Sequence, residues 1–270
     1  MCSLDNPVLL AQCARIKAMA EQTAQDPKYQ NRYYARTWHH WQLSPAVKPS
    51  EIKKFEKLAR FELPIEYVYF LTQVGSGGAC PGTNLQKFNP EWGKLEQLQN
   101  VSAQFYDAEN VYLSEEDWEE KYGTSQRDFY DGTLSLCGMD ITYDAQLIVA
   151  GPLRGRIVYL DYNCEAPPMW PKSSPDFLTW YENFFSELLA GYDIDPTWKF
   201  MWQEPGDSEA LMKAYQNAPD ETYRQEVLGS FCKFPKLDEK ARQFLCGLDS
   251  KTAGEILAYF KDNKDNKDKR

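Results

Sequence analysis

The chain has 270 residues, 43% of them hydrophobic, with 30 basic against 40 acidic side chains and a formal charge of −10. That is enough apolar material for one large core or two small ones. The acidic balance argues against unaided nucleic-acid binding, which needs a cationic face, and suits a basic protein partner whose encounter opposite charge would speed.

The start, Met1-Cys2-Ser3-Leu4-Asp5-Asn6-Pro7, lacks a basic region followed by an apolar run, and Val8-Leu9-Leu10-Ala11 is too short to span a bilayer. Neither a leader nor a membrane segment is expected. The seven cysteines are scattered and odd in number, with no CxxC spacing, which points to free thiols and a cytoplasmic setting. Residues 4 to 24 read as a helix, with Leu9, Leu10, Cys13, Ile16 and Ala20 forming a modest apolar stripe. Tyr33 to Trp41 is aromatic and basic, and Pro45 and Pro49 then interrupt. Residues 1–47 are therefore read as a helical extension on the main domain. Ser50 is expected to cap a helix from Glu51 to about Arg60, with Ile52, Phe55 and Leu58 or Ala59 facing inward.

Residues 61 to 78 carry the strongest pattern. Pro64 suits the first turn of a helix, where its missing N–H costs nothing. Tyr67, Phe70, Leu71 and Val74 fall at helical spacing, and Gly77 and Gly78 permit the turn into a strand. Asn84 to Phe88 and Leu95 to Phe105 are ambiguous between strand and helix. Ser114 is placed to cap a short acidic helix, Glu115 to Tyr122. Thr133 to Cys137, Ala145 to Ala150 and Arg156 to Asp161 read as strands, with Gly151 to Gly155 as an antiparallel turn. Pro175 opens a helix whose Phe177, Leu178, Tyr181, Phe184, Phe185 and Leu188 make a wide apolar face. Pro196, Pro205 and Gly206 mark a boundary, followed by helical patterns at about 207–217, 220–231 and 238–261, the last broken at Gly247 and recapped by Asp249 or Ser250.

Several of these residues resemble the SUKH superfamily of bacterial immunity proteins against polymorphic toxins. The matching positions are Ile52, Phe55, Leu58, Leu63, Pro64, Tyr67, Phe70, Leu71, Gly77 and Gly78. They are followed by Leu147 to Gly151, Gly155 to Asp161, and Ser174 to Tyr181, so that the likeness covers roughly residues 48 to 190. Ser76 stands where that family usually has Asn. The expected organisation is an α+β fold: a mixed, mainly antiparallel sheet faced by helices near 51, 64 and 176. Residues 1–47 form the extension, 48–204 the SUKH-like domain, 205–262 a helical appendage and 263–270 a low-complexity tail. The resemblance implies stoichiometric occlusion of a secreted toxin, without turnover. Nucleases with basic clefts are frequent targets of the family.

Catalytic hardware is sparse. The only two histidines, His39 and His40, are adjacent and poorly placed as joint ligands, whether in helix or strand. They are read as packing beside Trp38 and Trp41. Gly75-Ser76-Gly77-Gly78 follows a helix, whereas a phosphate loop precedes one. No enzyme, cofactor or metal motif is found. The feature left over is acidic: Glu115, Glu116, Asp117, Glu119 and Glu120 surround Trp118, a concentration of charge with an aromatic anchor. These six residues are the expected partner-binding surface. The rival expectation is a non-catalytic adaptor that binds proteins without neutralising a toxin.

Overall fold

Three antiparallel strands form where β-branched and aromatic residues flank glycine turns. They are β1 (Thr133–Gly138), β2 (Tyr143–Ile148) and β3 (Ile157–Asp161), in the order β1-β2-β3. The register pairs Thr133 with Ile148 and Gly138 with Asp144, then Tyr143 with Asp161 and Leu147 with Ile157, with a bulge between Ser135 and Cys137. The computed structural model describes residues 4–30, 32, 35–95, 98, 115–122, 130–139, 141–163, 166, 168–170, 175–194 and 198–264. Within them the sheet is wholly antiparallel, so the chain is α+β as expected. The edges are covered, not bare. Thr83 N–H donates to the Gly138 carbonyl and Gln86 N–H to the Leu136 carbonyl, each at 2.8 Å, while Tyr159 exchanges hydrogen bonds with Met169. A covered edge cannot template a foreign strand.

The chain divides into two compact units, Met1–Phe185 and Ser186–Arg270. In the first, helix α1 (Pro7–Gln25) begins where the Asn6 side chain accepts from Val8 N–H and Leu9 N–H. Helix α2 (Pro49–Ala59) starts before the expected cap. Lys48, not Ser50, holds the cap position, Pro49 is the first helical residue, and the Glu51 carboxylate accepts the Lys48 N–H at 3.0 Å. Proline preset the helical φ one residue earlier than the serine signal allowed. Helix α3 (Ile65–Tyr69) follows Pro64 and continues as a wider π-type turn over Phe70–Val74. Tyr67, Phe70, Leu71 and Val74 are buried, as their spacing predicts. Tyr69 is buried too, against that spacing, because its hydroxyl accepts the Asn6 N–H at 2.8 Å at the start of α1.

Past the helix the chain turns on Gly78, whose φ is +109° and whose Cβ, if it had one, would overlap the Gln42 carbonyl. Only glycine fits there. Asn84 to Phe88 is no strand; a single bridge joins Leu85 to Gly78. Within the reading of 95–105, only Leu95 and Leu98 lie among the described residues. Helix α4 (Glu115–Tyr122) is the acidic helix; its expected cap Ser114 lies outside the described residues.

Helix α5 (Phe177–Leu189) follows Asp176, whose carboxylate accepts Thr179 N–H at 2.9 Å. Its aromatic face packs on α3 and the sheet. Phe177 lies 4.9 Å from both Tyr67 and Phe70, and Trp180 Nε1–H donates to the Tyr159 hydroxyl at 2.8 Å. Tyr159 shares a face with Ala145, Leu147 and Ile157, and these are buried under the helices. The opposite face, with Gln146, Ile148, Val158 and Leu160, is buried as well. That is why these strands read as continuous apolar runs instead of strict alternation.

The second unit holds α6 (Ser208–Gln216), α7 (Glu221–Ser230), α8 (Glu239–Cys246) and α9 (Lys251–Lys264). Asp207, Asp220 and Asp238 cap the first three through their side chains, and Ser250 accepts Ala253 N–H at the start of the fourth. A core of its own runs through them, built on Leu211, Val227, Leu228, Phe231, Leu245 and Ile256. The division between units falls within α5, ahead of Pro196 and Pro205. Late in α5, Glu187 accepts hydrogen bonds from Gly206 N–H and Lys233 Nζ.

Candidate functional site

Helix α4 carries the sequence's own candidate. Glu116, Asp117, Glu119 and Glu120 are exposed. Glu116, Glu119 and Glu120 stand at i, i+3 and i+4, so they share one face. Acidic residues in the first turn complement the helix dipole, whereas those further along repel one another at a cost of about 0.2–0.5 kcal/mol per like-charged pair. The helix therefore presents anionic charge that its own stability does not call for. The side chains of Glu115 and Trp118 lie outside the described residues, and with them the aromatic-anchor reading.

A second concave feature lies in the first unit, a cleft of about 440 Å³ lined by Ile52 of α2, Leu63, and Ile65 and Val68 of the α3 segment. Charged groups stand around it. Arg154 donates to the Glu62 carbonyl at 2.7 Å, and Glu56 accepts Leu63 N–H at 3.1 Å. Both are engaged by the chain's own backbone, so the cleft offers apolar surface more than proton chemistry. The motif residues Ile52 and Leu63 form part of this wall as well as the core. Sequence spacing shows them only as apolar, because a groove between two helices is a long-range property.

The histidine pair splits. His39 is buried, with its ring 4.9 Å from that of Trp41, and its Nδ1 accepts the Trp41 N–H at 3.0 Å. Burial, with His40 nearby, pushes its imidazole down to about 4, so it is neutral near pH 7. A neutral Nδ1 occupied by a backbone donor is a fixed acceptor, not a mobile base. His40 is exposed and Trp38 is 55% exposed. His40 and Trp41 both have left-handed φ, +49° and +57°. The strain of about 1–3 kcal/mol each is offset by Trp41, which is buried, donates Nε1–H to the Tyr29 carbonyl at 2.9 Å and stacks on Phe184.

Among the described residues no three His, Cys, Asp or Glu side chains group as metal ligands, and no helix is long and apolar enough to cross a membrane. Cys13, Cys80, Cys137, Cys232 and Cys246 are in no disulfide. Compared with protein-family models, curated proteins and solved structures, the chain finds no match.

Proposed function

We propose that this chain is a non-catalytic binding protein of SUKH type that neutralises a secreted bacterial toxin by stoichiometric occlusion. One observation carries the reading: four exposed carboxylates concentrated on the eight-residue helix α4, in a chain of net charge −10. Such a surface steers a basic partner toward it, and a toxin with a nucleic-acid cleft is basic where it matters. The resemblance over Leu63-Pro64, Tyr67, Phe70-Leu71 and Gly77-Gly78 supplies the class of partner. The protein would act inside the producing cell, blocking the toxin's substrate groove as long as the complex lasts. It needs no cofactor for this.

The second compact unit, with its own core, favours an adaptor as the rival reading, since two modules can hold two partners. Affinity capture from the native host, with mass spectrometry of what is retained, separates the two. A single basic toxin bound one to one, and inactive while bound, supports neutralisation. Retention of host regulatory proteins with no toxin among them supports the adaptor.

A further inference from the structure

One row of residues crosses the sheet near the β1–β2 hairpin. Thr83 N–H donates to the Gly138 carbonyl at 2.8 Å, Gly138 of β1 pairs with Asp144 of β2, and Asp144 pairs with Leu160 of β3. Paired residues of an antiparallel ladder share a face. Gly138 therefore leaves a gap in the row, between the Thr83 hydroxyl and the Asp144 carboxylate. A Cβ at Gly138 would lie 3.4 Å from Thr83 Oγ1 and 3.5 Å from Asp144 Oδ1. The gap has room for one heavy atom, and two oxygens border it. Asp144 is half-buried, and its carboxylate meets no hydrogen-bond donor or cation among the described residues. Burial alone pushes its carboxyl up from the ordinary value. Two exposed apolar side chains stand close by. Tyr162, 53% exposed, keeps to the ladder just past β3, where its N–H donates to the Thr142 carbonyl at 2.7 Å. It is one diagonal step from Asp144, about 7–8 Å, which a long side chain spans. Ile141, 85% exposed, lies in the turn that Met139 N–H closes on the Tyr143 carbonyl at 2.7 Å.

The geometry points to a seat for a lysine ammonium of a basic protein: Asp144 is the counter-ion, the Thr83 hydroxyl a second acceptor, and the gap over Gly138 the space the ammonium enters. A compact ammonium with three donors suits a gap one heavy atom wide, whereas a guanidinium is a rigid plane made for two-pronged pairing. A hard divalent cation needs about six oxygens, and among the described residues no such ligand group forms. Tyr162 and Ile141 offer apolar cover to the methylene stem behind the charge. The net charge of −10 draws a basic partner toward the surface. The seat deepens the reading of the chain as a binder of a basic protein and rests on that reading for the class of partner. The sequence hides it, because Thr83 comes from a segment far earlier in the chain and the gap is made by a side chain that Gly138 does not have.

The probe is the peptide acetyl-Leu-Lys-Leu-amide, titrated at low salt into the full-length isotope-labelled protein and followed by amide chemical shifts. The control peptide carries norleucine in place of lysine. The expected result is saturable shifts centred on Thr83, Gly138 and Asp144, with the norleucine peptide about tenfold weaker, since it lacks the charge-assisted hydrogen bond. Asp144→Asn should lose that preference and melt no lower than wild type, because no partner inside the chain is removed. Gly138→Ala should fold normally, since its methyl meets Thr83 and Asp144 at ordinary contact distance, and should block the peptide. An absence of saturable shifts, shifts confined to α4, a norleucine peptide that binds as well, binding that survives either substitution, or a lowered melting temperature in Asp144→Asn overturns the seat. The broader reading fails separately. Affinity capture that returns no basic protein removes the toxin and leaves the seat. A captured toxin that binds Asp144→Asn as it binds wild type removes the seat and leaves the toxin.

Discussion

Lys233 Nζ donates to Glu187 Oε1 at 2.6 Å in the core of the second unit, with the lysine side chain 0% and the carboxylate 3% exposed. The same Nζ donates to the Glu204 carbonyl at 2.6 Å, and the same Oε1 accepts Gly206 N–H at 2.7 Å. One ion pair therefore ties α5, the 204–206 loop and the turn after α7. Burial works against both charges, pushing Glu187 up and Lys233 down, while each partner pulls the other back. Lys233→Met should cost about 3–5 kcal/mol, because it strands a buried carboxylate, and adding Glu187→Leu should recover much of it. Denaturant melts of the two singles and the double decide this. Additive losses would show that the pair is not coupled.

Acid should act through His39. The unfolded chain takes up this proton near 6.5, the folded protein only near 4. The stability contributed is therefore complete above about 6.5, declines as the pH falls, and is gone below about 4, amounting to about 3 kcal/mol at most. His39→Gln should flatten the stability profile between pH 6.5 and 4 relative to wild type. Parallel profiles would mean that His39 titrates no differently once folded.

Gly254 sits inside α9 with open space around it and no left-handed φ. Gly254→Ala should stabilise the second unit by about 0.5–1 kcal/mol by reducing the freedom of the unfolded chain. Gly78→Ala should do the opposite, since its φ and the Gln42 carbonyl both exclude a side chain. A calorimetric scan should show the first change as an upward shift. No shift would place the limiting contacts elsewhere.

The α3 segment shows how far local pattern reaches. Tyr67, Phe70 and Leu71 announce their buried face through helical spacing, and Leu71→Ala should cost about 2–5 kcal/mol for a side chain so completely enclosed. An unchanged thermal midpoint would contradict that packing. The three strands were equally plain, because their composition and the Gly151–Gly155 turn are local signals. Tyr69 was not, since its burial depends on Asn6 at the other end of a tertiary contact. Nor was the meeting of Glu187 with Lys233, 46 residues further along the chain. The acidic helix was legible as a helix and as exposed charge at Glu116, Asp117, Glu119 and Glu120.

The last prediction concerns that charge. If α4 steers a basic toxin, Glu116→Gln, Glu119→Gln and Glu120→Gln together should slow association about tenfold at low salt and flatten its salt dependence, because screened charge acts mainly on the encounter. Dissociation should change little, since rim charges in water contribute weakly once the complex has formed. Trp118→Ala should do the reverse, speeding dissociation with little effect on association, if its ring is the anchor the sequence suggests. The melting temperature of the glutamine variant should hold or rise, because three mutually repelling carboxylates share one helical face. Stopped-flow association with the captured partner at two salt concentrations reads all of this. Wild-type rates and salt slope in the glutamine variant would move the contact off α4, leaving the cleft beside Ile52 and Leu63 as the next surface to test.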